Sequence, residues 1–239
     1  MKQALIATAA LAALTMTATP AHAAPKDPVK ALNAKIVPGH GVHFTGNVTW
    51  TDGTSERGAR DIKGVFQFGK KGVAAFDISM EEGDERQRVI GIGKTGYYSG
   101  GLYERLLPED KTWYKQKNRG MPDSWSQFIN PAETKTLARL LEKGTAEGNT
   151  VSGSITLKEL KTVSAWVSAA MLTKEADGVK ISYTLTLSSS GLVSRVSSTY
   201  ALTEDGTTYT STVDSRYTGW GGKVSVKAPA PATVTTEFR

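Results

Sequence analysis

The stretch ISYTLTLSSSGLVSRVSSTYALTEDGTTYTSTVDSRY, residues 181–217, decides the fold class of this chain. Ile181, Tyr183, Leu185 and Leu187 alternate with Ser182, Thr184, Thr186 and Ser188. A Ser-Ser-Gly turn ends at Gly191, after which Leu192, Val196, Tyr200 and Leu202 resume the two-residue rhythm. A second turn, Glu204-Asp205-Gly206, leads into Thr207–Tyr217, where Tyr209, Val213 and Tyr217 share a face with Ser211 and Ser215. Apolar residues alternating with Ser and Thr mark strands with one covered and one wet face. The connections are too short for a parallel crossover, so these strands are antiparallel hairpins.

The same period opens the chain. Val42, Phe44, Val48 and Trp50 alternate with His43, Thr45, Asn47 and Thr49 up to an Asp52-Gly53 turn. Arg57–Phe68 reads as the return strand, with Ile62, Phe66 and Phe68 on one face. Val73–Met80, Arg88–Ile92 and Gly96–Ser99 continue a meander. Helix signals are few. Asp27-Pro28 caps a short helix whose stripe is Val29, Leu32 and Ile36. Asn130-Pro131-Ala132-Glu133 predicts a helix start, with Asn130 as N-cap and a stripe of Leu137, Leu140 and Leu141 before Gly144. Thr156-x-x-Glu159 is a capping box, and it predicts one helix with Leu160, Val163, Val167, Ala170 and Met171 on a face and Trp166 at its border. A last short strand is expected at Lys223–Lys227. The pattern predicts an α+β fold, one twisted antiparallel sheet of about eight to eleven strands with two or three helices on one face.

Address and charge narrow the function classes. Met1-Lys2, the apolar run Ala4–Ala18 and the small-x-small site Ala21-His22-Ala23 predict a cleaved export signal over residues 1–23. A single domain is expected over 24–228, followed by a Pro- and Thr-rich tail, 229–239, expected to be loosely ordered. The expectation is a secreted monomer with no transmembrane helix after cleavage. The chain has no cysteine, so neither disulfides nor a lipobox anchor are available. It carries 29 Lys+Arg against 23 Asp+Glu, and a modest basic balance outside the cell favours anionic envelope polymers or lipid headgroups as neighbours. No nucleic-acid-binding motif is present.

Signals for chemistry are weak. His40 and His43 flank Gly41, but a zinc site would need distant carboxylates to complete it. No Gly-x-Ser-x-Gly elbow positions a nucleophile. Glu81, Glu82, Asp84 and Glu85 surround Gly83 between two strands, the context of an exposed hairpin tip. No catalytic residue, metal or cofactor is therefore expected, and the chain reads as a non-enzyme. Trp113, Tyr114, Lys115, Lys117 and Arg119 form a basic-aromatic stretch suited to a membrane interface, a sugar or an anionic polymer. The competing reading makes Trp113 and Tyr114 a core-facing strand end.

The order of these features resembles the LolA/LppX-like superfamily, most closely the actinobacterial LppX/LprG-type lipid-binding lipoproteins. The resemblance rests on an opening helix, a strand meander, and the Trp113 segment rich in lysine. After these come the Asn130-Pro131 helix, a strand, a second helix and paired long strands. Tyr-Thr-Gly-Trp-Gly at 217–221, with Val224, Val226 and Pro229, completes it. Such a resemblance implies a strongly curved half-barrel sheet, helices on its concave face, and acyl chains between the two. The absent lipobox cysteine departs from the anchored relatives. On this footing the candidate cavity lining is Phe44, Val48, Trp50, Phe66, Phe68, Trp166, Met171, Tyr183 and Leu185, and the expected function is carriage or sensing of a lipid or other amphiphile. The alternative is a cell-envelope interaction protein with a packed core, which binds through the Trp113–Arg119 surface.

Overall fold

Twelve strands make one strongly curved sheet among the residues that the structure, a computed structural model, describes: 27–117, 127–170, 174–204 and 206–239. The export signal expected at 1–23, Arg119 and Met171 lie outside the described residues. The first half contains α1 (Pro28–Asn33), then β1 (His40–Thr51), β2 (Glu56–Gly69), β3 (Gly72–Glu82), β4 (Glu85–Ile92) and β5 (Thr95–Gly100). A single turn of helix, α2 (Leu102–Leu106), precedes β6 (Trp113–Lys117). Next come α3 (Thr134–Lys143), β7 (Thr145–Glu147), β8 (Thr150–Thr156), α4 (Leu157–Val163) and α5 (Ala165–Ser168). The chain closes with β9 (Lys180–Leu187), β10 (Val193–Glu204), β11 (Thr207–Lys223) and β12 (Val234–Thr235).

The strand order is β12-β6-β5-β4-β3-β2-β1-β11-β10-β9-β8-β7. All neighbours are antiparallel except β12 and β6. The N-terminal meander runs outward from the centre and the C-terminal strands run back inward, so β1 and β11 meet in the middle. Their register places Phe44 opposite Tyr217 and Val48 opposite Val213. Gly41 lies at a bulge in this pair, where a Cβ would stand 2.0 Å from the Phe66 carbonyl oxygen, so no larger residue fits without moving backbone.

Period-two alternation reaches the structure intact. In β9, Ile181, Tyr183, Leu185 and Leu187 are buried; in β11, Ser211, Val213, Ser215 and Tyr217 are buried as one face. The opposite face carries cross-strand ion pairs, Lys63–Glu81, Arg88–Asp77 and Arg195–Asp214, the exposed kind that contributes at most about 1 kcal/mol each.

The structure departs from the sequence reading in three places, two in helices and one in a strand. The turn after Asn130 is not yet helix: Asn130 Oδ1 accepts from the Ala132 N–H at 3.0 Å, and α3 begins only at Thr134 with Glu133 as N-cap. Asn130 thus spends its side chain on a local turn, which competes with capping. The expected single helix after the capping box is two, because Ser164 is extended (φ −108°, ψ 114°) and its Oγ accepts from the Val167 N–H to start α5. The last strand is not at 223–227 either. β11 continues to Lys223, and the following segment is held by Val224 N–H to the Gly39 carbonyl and Val226 N–H to Gln67 Oε1.

The tail carries more pairing than its Pro and Thr content discloses. β12 pairs with β6, Phe238 stacks on Tyr114 at 4.3 Å, and the Arg239 N–H donates to the Leu106 carbonyl.

The capping box at the start of α4 is formed in both directions. Glu159 N–H donates to Thr156 Oγ1 at 3.2 Å, and Thr156 N–H donates to Glu159 Oε2 at 2.9 Å. Thr156→Ala is expected to lower stability by about 1 kcal/mol, while Thr156→Ser retains most of it. Urea unfolding midpoints check this, and an unchanged midpoint in Thr156→Ala contradicts it.

Candidate functional site

Helices cover the inner sheet face through a small set of anchors. Tyr183 OH donates to the Leu140 carbonyl at 2.6 Å, tying the end of α3 to β9; burial pushes this phenol up to about 12. Trp166 of α5 enters between strands. Its ring meets Phe66 and Phe76 edge-on, at centroid distances of 5.5 and 5.3 Å, and its Nε1–H donates to the Gln127 carbonyl. Phe44 stacks on Phe66 at 4.8 Å.

These aromatics fill the space under the middle of the sheet. What remains there is a void of about 20 Å³, bordered by Phe44, Phe66, Gln127, Asn130, Trp166 and Ser215. That is room for about one water molecule. An acyl chain does not fit in it.

Larger openings lie away from this centre, one of about 630 Å³ between β3–β5 and the C-terminal Arg239, and one that Trp166 itself borders. A cleft of about 600 Å³ runs between the two-residue Lys70-Lys71 turn joining β2 to β3 and the starts of α3 and α5. Ile36, Val73, Phe76, Val163, Ala169 and Trp166 give it apolar walls. Asn130, Glu133, Thr134 and Lys135 form a polar side, with Lys70 and Lys71 across from it at the mouth. Its volume falls within the range of small-molecule sites.

Glu133 organises this cleft. Its carboxylate accepts from Thr136 Oγ1 at 3.0 Å, from Ser164 Oγ at 2.5 Å and from the Trp166 N–H at 2.8 Å. One side chain therefore fixes the start of α3, the α4–α5 break and the position of Trp166. Burial raises its pKa above the ordinary carboxylate value, and the hydrogen bonds from Ser164, Trp166 and Thr136 only partly oppose that.

The residues singled out in the sequence scatter. Phe44 and Phe66 border the small void, and Trp166 borders both the void and the cleft. Val48, Phe68, Tyr183 and Leu185 are packed in the core. Trp50 is half-buried at the sheet's rim with the Arg60 guanidinium 5.7 Å from its ring centre. In β6, Tyr114 clusters with Tyr103 and Phe238, whereas Trp113 carries the Arg88 guanidinium at 5.7 Å. Lys115 and Lys117 are exposed. Adjacent strand residues point to opposite faces, so Trp113 shares its face with Lys115 and Lys117 but not with Tyr114.

Sequence reasoning did not single out Lys70, Lys71, Asn130, Glu133 and Lys135 as a group. They come from two distant hairpin and helix ends and share no local period. The one signal was the Asn130-x-x-Glu133 spacing, and it reads as a cap. His40 Nδ1 lies 3.3 Å from the Pro38 carbonyl, and among the described residues no three His, Cys, Asp or Glu side chains come together as a metal site. Among them, too, no helix is long and apolar enough to cross a membrane.

No protein-family model and no curated protein matches the chain. Solved structures do show similarity of outline. A LolA superfamily protein from Nitrosomonas europaea is 9% identical, over 80% of this chain and 90% of that one, with a TM-score of 0.36. A DUF1329 family protein from Desulfovibrio piger is 12% identical over 81% of this chain and 92% of that one, at 0.24. Isotype 1 transferrin binding protein B from serogroup B Neisseria meningitidis is 9% identical over 80% of this chain and 27% of that one, at 0.28. At these values the chain's own residues carry the functional reading.

The raised Glu133 pKa has a signed consequence. The folded protein holds this proton more tightly than the unfolded chain, so its contribution is favourable in acid and is lost as pH rises through the raised folded value. Glu133→Gln removes that dependence. Relative to the wild type, the variant is expected to gain stability as pH rises from about 4 to about 8. Urea unfolding of both proteins across that range checks the sign, and a difference that is flat or falls with pH contradicts it.

Proposed function

We propose that the protein is a non-catalytic binder that carries or senses an amphiphile in the cleft beside Trp166, as an exported protein whose residues 1–23 act as the signal. One observation carries this reading. The space under the sheet is filled, yet a cleft of about 600 Å³ with apolar walls stays open at its side. The ligand site is thus displaced from the aromatic core expected from the sequence, with Trp166 common to both.

Magnitudes limit what the chain of such a ligand supplies. Burying about ten methylenes gains about 8 kcal/mol. Association costs about 4–15 kcal/mol before any affinity appears. An alkyl chain alone is therefore marginal in this cleft, and a polar head has to contribute.

Ala165 is exposed and lines the cleft, so filling it need not disturb the core. Ala165→Trp is expected to weaken binding of a fluorescent fatty-acid probe by about tenfold or more, a loss of about 1.4 kcal/mol, with the unfolding midpoint unchanged. Native mass spectrometry of protein from its own host should also show a bound lipid mass. A wild type that binds no probe and carries no lipid contradicts the reading.

A second reading keeps one specific support. Trp113, Lys115 and Lys117 share an exposed strand face next to Arg88, an arrangement suited to an anionic envelope polymer or lipid headgroups. Retention on purified wall polymer should then fall with salt and with Lys115→Ala/Lys117→Ala. Retention that ignores both removes this alternative.

A further inference from the structure

We infer that the cleft selects an amphiphile with an anionic head, a carboxylate or a phosphate ester, which Lys70, Lys71 and Lys135 hold at the start of α3. The inference rests on the amphiphile reading and adds the chemistry of the head.

The first observation is electrostatic. Lys70 and Lys71 are the whole turn between β2 and β3, and Lys135 lies in the first turn of α3 on the other side of the same space. All three are exposed, and among the described residues none of the three has an ion-pair partner. Three other cations of the sheet are matched, Lys63 by Glu81, Arg88 by Asp77 and Arg195 by Asp214. Three cations around one cleft repel each other, and an anion between them removes that repulsion.

The second observation is the helix end. α3 is ten residues long, and its N-cap, Glu133, makes no side-chain bond to the first-turn N–H groups. Those groups and the helix dipole favour an anion at this end, and Thr134 and Lys135 line the cleft there.

The third observation is independent of both. Asn130 is only 2% exposed, its Oδ1 is taken by the Ala132 N–H, and its Nδ2 has no acceptor. Asn130 lines both the cleft and the small void, and its Nδ2, with no open surface of its own, stands behind that wall. A buried donor without a partner is rare, and its partial positive charge behind the wall adds to that of the lysines.

Glu133 lies in the same wall and is the one charge that opposes an anion. Its oxygens are occupied by Thr136, Ser164 and the Trp166 N–H, which direct the carboxylate toward α5. One carboxylate so engaged does not cancel three lysines.

The test compares ligands with one chain and different heads: dodecanoate, dodecyl phosphate and the neutral monododecanoylglycerol, with inorganic phosphate as the chainless control. Titration calorimetry on the full chain is expected to give about tenfold tighter binding for the two anionic ligands than for the neutral one. Lys70→Glu/Lys71→Glu, confined to an exposed turn, should abolish that preference. Equal binding of neutral and anionic ligands overturns the head assignment and leaves the amphiphile reading standing. Binding of none of the three amphiphiles overturns both. Inorganic phosphate binding as tightly as dodecyl phosphate shows a free-anion site, which also overturns the proposal. A preference that survives the double substitution removes the lysine turn as its cause.

Discussion

The pairing of β1 with β11 is the constraint on which the rest of the molecule depends. It joins the first long strand to the last one, so the meander 40–100 and the block 145–223 become one sheet. Phe44 faces Tyr217 across this seam, their rings 5.9 Å apart, and Phe44 also stacks on Phe66. An aromatic floor is thereby assembled from both halves. A contact between such distant segments forms only at the entropic cost of closing a long loop.

A curved sheet with an apolar inner face has to be covered, and here the cover is sparse. The helices are short, and the expected long one is broken at Ser164. That break frees α5 to drive Trp166 down onto Phe66 and Phe76. Glu133 holds the two helical pieces and α3 together from a single carboxylate. With Trp166 in the centre, the cleft it borders is lateral, between a lysine turn and a helix start. Position and chemistry of the cleft thus follow from one backbone break.

The sheet was legible in the sequence because burial in a strand leaves a trace at every second residue. Ile181–Leu187 and Ser211–Tyr217 are buried in the pattern their alternation announces. Caps were legible too where they are local, as at Asp27 and Thr156. Asn130 and Glu133 show the limit. Their spacing is that of a cap, yet both side chains are diverted, Asn130 to Ala132 and Glu133 to Ser164 at the α4–α5 break and Trp166 in α5, about thirty positions away. A cleft lined from residue 33 to residue 169 has no period to read. Twelve strands were found where about eight to eleven were expected, since pieces as short as β7 and β12 leave no alternation to recognise.

The parallel strand β12 bears on how the molecule behaves among its own copies. An open sheet ends in unpaired N–H and C=O groups that invite another chain to add on. At one border, β12 occupies that position opposite Trp113 and Tyr114, and Phe238 roofs the adjoining tyrosines. Beyond it the strand continues as Lys115-Gln116-Lys117, all exposed, where charge discourages a docking strand. At the other border, β7 is only three residues long and ends in Glu147. The protein therefore guards both ends of a long open sheet by different means, a strap at one and brevity at the other, and proteolytic loss of the strap would leave the Trp113-Tyr114 edge open to a docking strand.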